Sequence, residues 1–327
     1  MEIVIVSQEE VHRLLPMARC IDVMETALRT LARGDAVQPL RSAMWLPDDS
    51  GLLGLMPAYL GGDVAAMGVK AISVMMADHG DGDSHQGTVT LFDREDGRPL
   101  AIVDARAITA IRTAATSAVA TRLLAREEAN DLAILGSGVQ ARSHLEAMLA
   151  VRLLGRIRVW SRTPAHAQAY GEWAAAEHGV TVEVTPSAED AVTGASIICT
   201  VTAAPKPILK GAWLSPGAHI NAVGSSVRFT RELDTGAVAG SRLFVDRRES
   251  TLNEAGDFLF PQEEGVIDEN HIQAEIGDVL LGHTPGRETD EEITLFKSLG
   301  LGVEDVAAAH FVYRQAIRQG LGATVEL

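Results

Sequence analysis

Residues 131–163 carry the feature that most constrains how this chain can fold. An apolar run at 132–135 ends in the turn Gly136-Ser137-Gly138, an amphipathic segment follows at 139–154, and a second strand-like run lies at 157–160. Strand, glycine turn, helix and strand in this order make one βαβ unit, in which G-x-G-x-x-A is typical of a dinucleotide-binding fingerprint. The sequence therefore predicts a parallel α/β domain that holds a dinucleotide at this turn.

The residues of the turn have separate predicted roles. Gly136 permits the tight turn. Gly138 lets backbone N–H groups approach a pyrophosphate at the start of the helix, where unpaired donors and the helix dipole favour anions. The third position is Ala141 rather than Gly, a departure that the fingerprint tolerates. The alternative is a glycine-rich turn of an α/β sheet that binds no nucleotide.

The end of the second strand indicates which dinucleotide is bound. An NAD-binding unit usually carries Asp or Glu there, which accepts hydrogen bonds from the ribose 2′-hydroxyl. This chain has Ser161, Arg162 and Thr163 instead. A guanidinium and two hydroxyls suit a 2′-phosphate, and no carboxylate repels it. We therefore expect NADP(H) to be preferred, with NAD(H) also accepted, unless Arg162 is only a solvated turn residue.

Length and composition narrow the class of protein. A chain of 327 residues is long for one hydrophobic core, so two domains are expected. The net charge of −16 argues against a nucleic-acid surface. Cys20 and Cys199 lie far apart in apolar surroundings, which predicts buried thiols rather than a disulfide. The sequence has neither an apolar run of about 18 residues nor a signal segment, so we expect a cytoplasmic protein.

The rest of the chain follows two different patterns. Strands succeed one another without helices between residues 40 and 103, which predicts an antiparallel or mixed sheet in a domain of its own. Helices and strands alternate from 105 to 245, which predicts a doubly wound parallel sheet. An amphipathic helix is expected at 303–319, whereas the acidic, glycine-rich segment 253–287 gives no assignment.

The densest polar cluster, residues 78–85, contains two His and three Asp and raises the question of a metal site. Tested as a calcium loop that starts at Asp81, it has Gln86 where the sixth position needs Gly and Phe92 where the twelfth needs Glu. Its spacing does not match a zinc site either. We expect a flexible loop and no metal.

Three basic residues stand among apolar or small neighbours: Arg41, Lys70 and Arg112, the first of them expected in a strand. An uncompensated buried charge is costly, so each of these cations needs an explanation. Convergence on one substrate carboxylate is the first explanation. Surface or edge-strand positions for the three side chains are the alternative.

Five motifs cover nearly the whole chain in a characteristic order and spacing. They are Met56-Pro57-Ala58-Tyr59, Arg112-Thr113-Ala114-Ala115-Thr116-Ser117-Ala118, Gly136-Ser137-Gly138-Val139-Gln140-Ala141, His219-Ile220-Asn221-Ala222-Val223-Gly224 and Phe296-Lys297-Ser298-Leu299-Gly300. Together they resemble the ornithine cyclodeaminase/mu-crystallin family. The resemblance implies a Rossmann doubly wound domain at 116–300, inserted into an α+β substrate-binding and dimerisation domain made of 1–115 and 301–327. It also implies a homodimer whose N-terminal sheets meet.

The resemblance further implies which residues form the site. The substrate carboxylate would contact Arg41, Lys70 and Arg112, with Met56 beside them. We place Lys70, Arg112 and Ser226 in the catalytic site, where Ser226 would hydrogen-bond substrate or water without transferring a proton. The resemblance implies that the nicotinamide nucleotide contacts Thr88, Arg112, Gly138, Val139, Gln140, Thr202, Val223, Gly224 and Ser298. To these we add Thr113 and, from the fingerprint turn and the end of the second strand, Gly136, Ser161, Arg162 and Thr163.

Two positions separate the branches of that family. Cyclodeaminases resemble Gly-Gly-Asp after Asn-Ala-Val, with the Asp acting on the substrate amine, whereas this chain has Gly224-Ser225-Ser226. Cyclodeaminases also tend to carry Asp after the second Rossmann strand, where this chain has Ser161-Arg162-Thr163, in a form similar to the ketimine reductases. Arg228 and Phe229 replace a Pro-containing turn of the reductases, so the size of the substrate stays open.

Both positions favour an NAD(P)H-dependent oxidoreductase that acts on the C=N bond of cyclic imino acids. Its expected substrates are Δ1-pyrroline-2-carboxylate or Δ1-piperideine-2-carboxylate, which give L-proline or L-pipecolate. Three alternatives stay open: an ornithine cyclodeaminase that releases ammonia, an alanine or other amino-acid dehydrogenase, and a crystallin-like protein that binds NADPH without turnover. No nucleic acid, membrane or metal is expected as a partner.

Overall fold

The computed structural model describes residues 2–48, 50–62, 64–75 and 85–326, the side chain of His85 excepted. Most of the polar cluster at 78–85 lies outside the described residues, so the flexible, metal-free loop stays a prediction. The chain divides into two compact units: unit 1 is Met1–Arg112 with Leu301–Leu327, and unit 2 is Thr113–Gly300. The sequence analysis expected the first boundary at 115/116, three residues after the boundary at 112/113 in the structure. The assignment of substrate and dinucleotide to separate domains stays a prediction.

The helices and strands follow one another in a fixed order. Unit 1 begins with β1 (Glu2–Val6), α1 (Gln8–Leu14), α2 (Met17–Ala32), β2 (Ala36–Val37), β3 (Ser42–Trp45), β4 (Gly51–Leu60), β5 (Ala66–Met75), β6 (His85–Phe92), β7 (Pro99–Asp104) and the first residues of α3 (Ala105–Leu124). Unit 2 continues with β8 (Asp131–Leu135), α4 (Val139–Val151), β9 (Arg156–Trp160), α5 (Pro164–His178), β10 (Glu183–Val184), α6 (Ala188–Val192), β11 (Ile197–Thr200), β12 (His219–Ala222), α7 (Thr235–Ala239), β13 (Arg242–Val245), α8 (Arg248–Glu254), α9 (Gly256–Glu263), β14 (Ile272–Glu275), α10 (Ile276–Leu281) and β15 (Thr294–Lys297). Helix α11 (Gly302–Gln319) and β16 (Ala323–Glu326) return to unit 1.

The described strands of unit 1 form a mixed sheet, as predicted. Their order is β16-β1-β7-β6-β5-β4-β2, with β3 paired to β4. Neighbours run antiparallel except β1 and β7, which run parallel. Helix α2 carries an apolar stripe at helical spacing, and this stripe is buried: Ile21, Met24 and Leu28 are at most 1% exposed. Helix α11 packs against α2 and against β4 and β5 of the sheet.

The described strands of unit 2 form a parallel sheet, which confirms the predicted doubly wound fold. Their order is β10-β9-β8-β11-β12-β15-β13-β14. The chain moves from β8 outward to β10 and then returns to β11 on the other side of β8, which is the topological switch point of such sheets. Leu135, Ile198, Ile220 and Leu295 are buried in the core of this unit.

Arg41 corrects one expectation about the elements. It lies in an unpaired segment, one residue before β3, rather than in a strand. Pro39 has no N–H group for a ladder, and the Gln38 side chain accepts a hydrogen bond from the Val303 backbone at 2.9 Å. The chain is therefore anchored to the start of α11 here, and pairing with β4 begins only at Ser42.

Some elements were not predicted. The segment 253–287 contains α9, β14 and α10, which have eight, four and six residues and are too short for a clear hydrophobic period. β15 and β16 were also missed. Cys20 and Cys199 are buried thiols, as predicted. None of the described helices combines the length and the apolar character that crossing a lipid bilayer requires.

Candidate active site

Most of the predicted nucleotide contacts in unit 2 follow the carboxyl ends of adjacent strands. The last residues of six strands pair in one row: Trp160, Leu135, Thr200, Ala222, Lys297 and Val245. The turns that leave this row carry Gly136 to Gln140, Ser161 to Thr163, Thr202, Val223 with Gly224, and Ser298. The structure thus brings these residues to one edge of the sheet, where open parallel sheets bind ligands.

The two glycines of the fingerprint turn differ in their surroundings. Gly136 has φ +128°, and a Cβ atom there would lie 2.8 Å from the Val201 carbonyl oxygen. Both the backbone conformation and the lack of space therefore require glycine at this position. Gly138 is the N-cap of α4, and a Cβ atom there would meet no described heavy atom within 4 Å. The space in front of the first N–H groups of α4 is therefore open. Val139, in the first turn of α4, is 55% exposed.

A hydrogen bond joins the turns after β8 and β9. The Ser137 hydroxyl donates to Ser161 Oγ at 3.0 Å. Arg162 and Thr163 are exposed. Thr163 is the N-cap of α5 but its side chain makes no capping hydrogen bond, and Pro164 occupies the first helical turn. The hydroxyl and guanidinium groups expected to read a 2′-phosphate thus lie on the surface, next to the fingerprint turn.

The turns after β11 and β12 are held by one buried carboxylate. Glu232 accepts hydrogen bonds from the Thr202 N–H and hydroxyl, each at 2.6 Å, and from the Gly224 N–H at 2.8 Å. Burial raises the pKa of Glu232 above its usual value and nearby Asp257 adds to this, whereas the hydrogen bonds from Thr202 oppose it. The three donors favour the ionised carboxylate and thereby offset part of this rise in the pKa.

The turn after β15 presents a hydroxyl that has no partner within the described ranges. The Asp246 carboxylate accepts hydrogen bonds from the N–H groups of Leu299 at 2.6 Å and Gly300 at 2.7 Å, which fixes the turn. Ser298 Oγ is buried and has no hydrogen-bond partner among the described residues. An unsatisfied buried hydroxyl costs free energy, so this group suits a ligand that completes its hydrogen bonding.

Two of the three predicted cations of unit 1 form a buried cluster with two acidic residues. Lys70 Nζ lies 2.7 Å from Asp305 Oδ2, and Arg112 contacts Asp305 and Glu304 at 2.8 Å each. Lys70 is 2% exposed and Arg112 is 3% exposed, and both acids are fully buried. Each of these cations therefore has a carboxylate partner, which the sequence reasoning did not anticipate.

Arg41 is half-buried, and its charge acts on Lys70. The pKa of Lys70 is lowered to about 8: burial is the largest cause, the charges of Arg112 and Arg41 act in the same direction, and Asp305 opposes them. Lys70 and Arg112 thus share two carboxylates, and Arg41 adds a positive charge that acts on Lys70. A substrate carboxylate would be attracted to these cations.

Four other predicted residues lie as follows. Met56 is buried and pairs with Lys70 across β4 and β5. Thr88 is half-buried on β6, opposite Ala71 of β5. Thr113 is buried on α3, directly after Arg112. Ser226 is half-buried, two residues after Gly224. Within the described ranges, no group of three or more His, Cys, Asp or Glu residues is placed to hold a metal ion.

Sequence reasoning missed the acidic members of both sites. Glu304 and Asp305 stand in the first turn of α11, where acidic residues are common because they favour the helix dipole. The sequence feature that could have indicated their burial is that two carboxylates begin a helix whose next residues are almost all apolar. Glu232 follows an arginine in a loop and resembles a surface residue, so nothing local marked it as buried.

The chain is similar over its length to known enzymes. The chain is 40% identical over 311 residues to the ketimine reductase mu-crystallin of Macropus fuliginosus, covering 93% of this chain and 95% of the relative. The structure of Thermococcus litoralis Δ1-pyrroline-2-carboxylate reductase in complex with NADH and L-proline is similar, with a TM-score of 0.96, 38% identity and coverage of 99% and 100% of the two chains. An archaeal alanine dehydrogenase dimer with bound NAD gives a TM-score of 0.94 and 32% identity over the full length of both chains.

A family model matches residues 1–320. The match spans both units and includes all five motifs that suggested the resemblance. The chain belongs to the ornithine cyclodeaminase/mu-crystallin family.

Proposed function

We propose that this chain is an NAD(P)H-dependent reductase of cyclic imino acids. It converts Δ1-pyrroline-2-carboxylate or Δ1-piperideine-2-carboxylate to L-proline or L-pipecolate. The observation that carries the proposal is the full-length similarity to a Δ1-pyrroline-2-carboxylate reductase whose structure contains NADH and L-proline. L-proline is the product expected from reduction of the C=N bond of that five-membered imine.

Arg41, Lys70 and Arg112 bind the substrate carboxylate in this proposal. The positive charges of Lys70 and Arg112, with that of Arg41 acting on Lys70, support this role, because they attract an anionic carboxylate. Asp305 and Glu304 hold the Lys70 ammonium and the Arg112 guanidinium in position before the substrate arrives. Such preorganisation favours the reaction, since little conformational freedom is then lost on binding.

The reaction adds a hydride to the imine carbon and needs a proton on the imine nitrogen. The reduced nicotinamide supplies the hydride when bound. The cations of unit 1 fix the carboxylate and thereby the adjacent imine carbon. Lys70, whose pKa is about 8, is the member of the cluster that can exchange a proton near neutral pH. Ser226 hydrogen-bonds substrate or water, and we assign it no proton transfer.

The edge of the parallel sheet binds the dinucleotide in this proposal. The open space at Gly138 admits a pyrophosphate to the N–H groups of α4, and Ser298 Oγ gains a partner. Similar proteins of known structure contain NADH or NAD. We propose that this chain accepts both dinucleotides and prefers NADPH, because Ser161, Arg162 and Thr163 offer donors and no carboxylate at the 2′ position.

The proposed assembly is a homodimer. The archaeal alanine dehydrogenase of similar fold is a dimer. In unit 1 of this chain, Met44, Leu53 and Leu55 are each at least 38% exposed. Register places Met44 opposite Leu53, so these three side chains lie on one face of β3 and β4. An apolar face of this kind supports contact with a second copy.

Alanine dehydrogenase activity is the second candidate, favoured by the 32% identity to the archaeal enzyme. A cyclodeaminase is disfavoured because Ser226 replaces the Asp that acts on the substrate amine in that branch. One assay series at 340 nm distinguishes the reactions: NADPH with the cyclic imine, NADPH with pyruvate and ammonia, and ammonia release from ornithine. Oxidation of NADPH with the cyclic imine alone is the expected result. Ammonia from ornithine without net NADPH change would refute the reductase.

A further inference from the structure

We infer that Glu232 is a positioning residue, which holds the turns after β11 and β12 in the conformation that binds the nicotinamide nucleotide. The inference rests on the proposed function, because it assigns the nucleotide to the edge of the parallel sheet. Glu232 lies eight residues beyond Gly224 and is fully buried. It belongs to a network with Asp257 and Lys297, in which Glu232 and Lys297 contact the turn after β12 directly and Asp257 joins these two residues.

The Glu232 carboxylate ties two strands' turns together. Oε1 accepts hydrogen bonds from the Thr202 N–H and hydroxyl, each at 2.6 Å, and Oε2 accepts one from the Gly224 N–H at 2.8 Å. The same Gly224 N–H also donates to the Thr200 carbonyl oxygen at 3.1 Å. A Cβ atom at Gly224 would lie 2.1 Å from the Thr202 carbonyl oxygen, so the two turns are in close contact. The spacing between them therefore depends on the carboxylate that bridges them.

Asp257 and Lys297 fix Glu232 and the far side of the same turn. Asp257 Oδ1 accepts the N–H groups of Glu232 at 2.8 Å and Leu233 at 3.0 Å, and its Oδ2 lies 2.9 Å from Lys297 Nζ. Lys297 Nζ donates to the carbonyl oxygens of Ala222 at 3.3 Å and Ser225 at 2.6 Å, on either side of Val223 and Gly224. In consequence, the short segment that precedes Ser226 is held by buried charges along its whole length.

This network contributes more than burial of polar groups. Replacing a buried ion pair by apolar residues is often neutral or stabilising, so stability alone does not explain this network, and we infer that it serves to fix one conformation. Here the groups that they fix are backbone atoms of Thr202, Ala222, Gly224 and Ser225, at the edge where the nucleotide is proposed to lie. We expect the network to set the affinity for the nicotinamide nucleotide, which both NADH and NADPH share.

Glu232→Gln tests the inference. An amide has one acceptor oxygen, and its NH2 group would face a donor of Thr202 or Gly224, so one turn is released while the Asp257–Lys297 pair remains. The dissociation constants of NADH and NADPH are measured by energy transfer from tryptophan to the bound nicotinamide. Both should rise about tenfold and by the same factor, as for loss of a hydrogen bond to a charged group. Glu232→Asp keeps both oxygens but is too short to reach both turns, and it should weaken both dinucleotides in the same way.

Asp234→Asn is the matched control. Asp234 lies two residues away and accepts hydrogen bonds from the N–H groups of Gly211 at 2.9 Å and Ala237 at 2.8 Å, so it caps α7 without contacting either turn. Asn keeps the Oδ1 atom that accepts both bonds, so the melting temperature and both dissociation constants should stay close to those of the wild type. Wild-type affinity in folded Glu232→Gln would overturn the inference, and so would equal weakening by Asp234→Asn. If the wild-type chain bound neither dinucleotide, the proposed function itself would fail.

Discussion

Lys70 shows how one side chain combines structural and chemical roles. Its ammonium is buried, and burial is the largest cause that lowers its pKa to about 8, with Arg112 and Arg41 acting in the same direction. The carboxylate of Asp305, 2.7 Å away, opposes them. A lysine with an ordinary pKa would stay charged throughout the physiological range, whereas this one is partly deprotonated slightly above neutral pH.

The first prediction follows from this titration. Lys70 is charged below its pKa and neutral above it, so kcat/KM for the imino acid should fall as the pH rises through about 8. In Asp305→Asn the charge that raises the pKa is lost, and the falling limb should move to lower pH. In Lys70→Arg the side chain does not titrate in this range, so that limb should disappear. Identical pH profiles for the wild type and both variants would contradict the assignment.

Arg162 gives a prediction about dinucleotide choice. Arg162→Ala removes a charge-assisted contact that only the 2′-phosphate can make, so KM should rise about tenfold for NADPH and little for NADH. Arg156→Ala is the matched control, because Arg156 lies at the opposite end of β9 and is half exposed beside Glu183. Equal changes for both dinucleotides in Arg162→Ala would mean that this residue does not read the 2′ position.

The acidic partners of Lys70 and Arg112 show where residue-level prediction stopped. Arg41, Lys70 and Arg112 were recognisable because each interrupts an apolar or small-residue context. Asp305 lies 193 residues beyond Arg112, and no local pattern links the two. A cation among apolar neighbours indicates that a partner exists, but only the fold determines which carboxylate reaches it.

At the level of whole elements, prediction succeeded where the pattern is local. Helix α5, from Pro164 to His178, lies in the segment where the sequence predicts alternating helices and strands, and its bounds are local: Pro164 marks its first turn and Gly179 ends it in the left-handed conformation. The position of β15 was not predictable in the same way. It lies between β12 and β13 although it follows both in the chain, and its four residues carry no marker of that insertion.

The fingerprint turn allows a test at this level, since its two glycines should respond differently. Gly136→Ala forces a Cβ atom onto the Val201 carbonyl at positive φ, so it should cost about 1–3 kcal/mol of stability. Gly138 has an ordinary φ of −84°, and a Cβ atom there would meet no described atom within 4 Å, so the melting temperature of Gly138→Ala should stay that of the wild type. Its dissociation constant for NADPH should nevertheless rise, because the methyl group occupies the space of the pyrophosphate. Unchanged affinity in Gly138→Ala would place the pyrophosphate elsewhere.

For the molecule as a whole, the exposed face of β3 and β4 leads to a prediction about assembly. In a twofold dimer each substitution occurs twice in the interface, so Leu53→Asp buries two unpaired carboxylates on association and should yield monomers. Light scattering coupled to size-exclusion chromatography should give twice 34.8 kDa for the wild type and 34.8 kDa for the variant. Leu153→Asp is the matched control, because Leu153 is 96% exposed in unit 2 and should leave the dimer intact. A Leu53→Asp dimer as stable as that of the wild type would exclude this face as the interface.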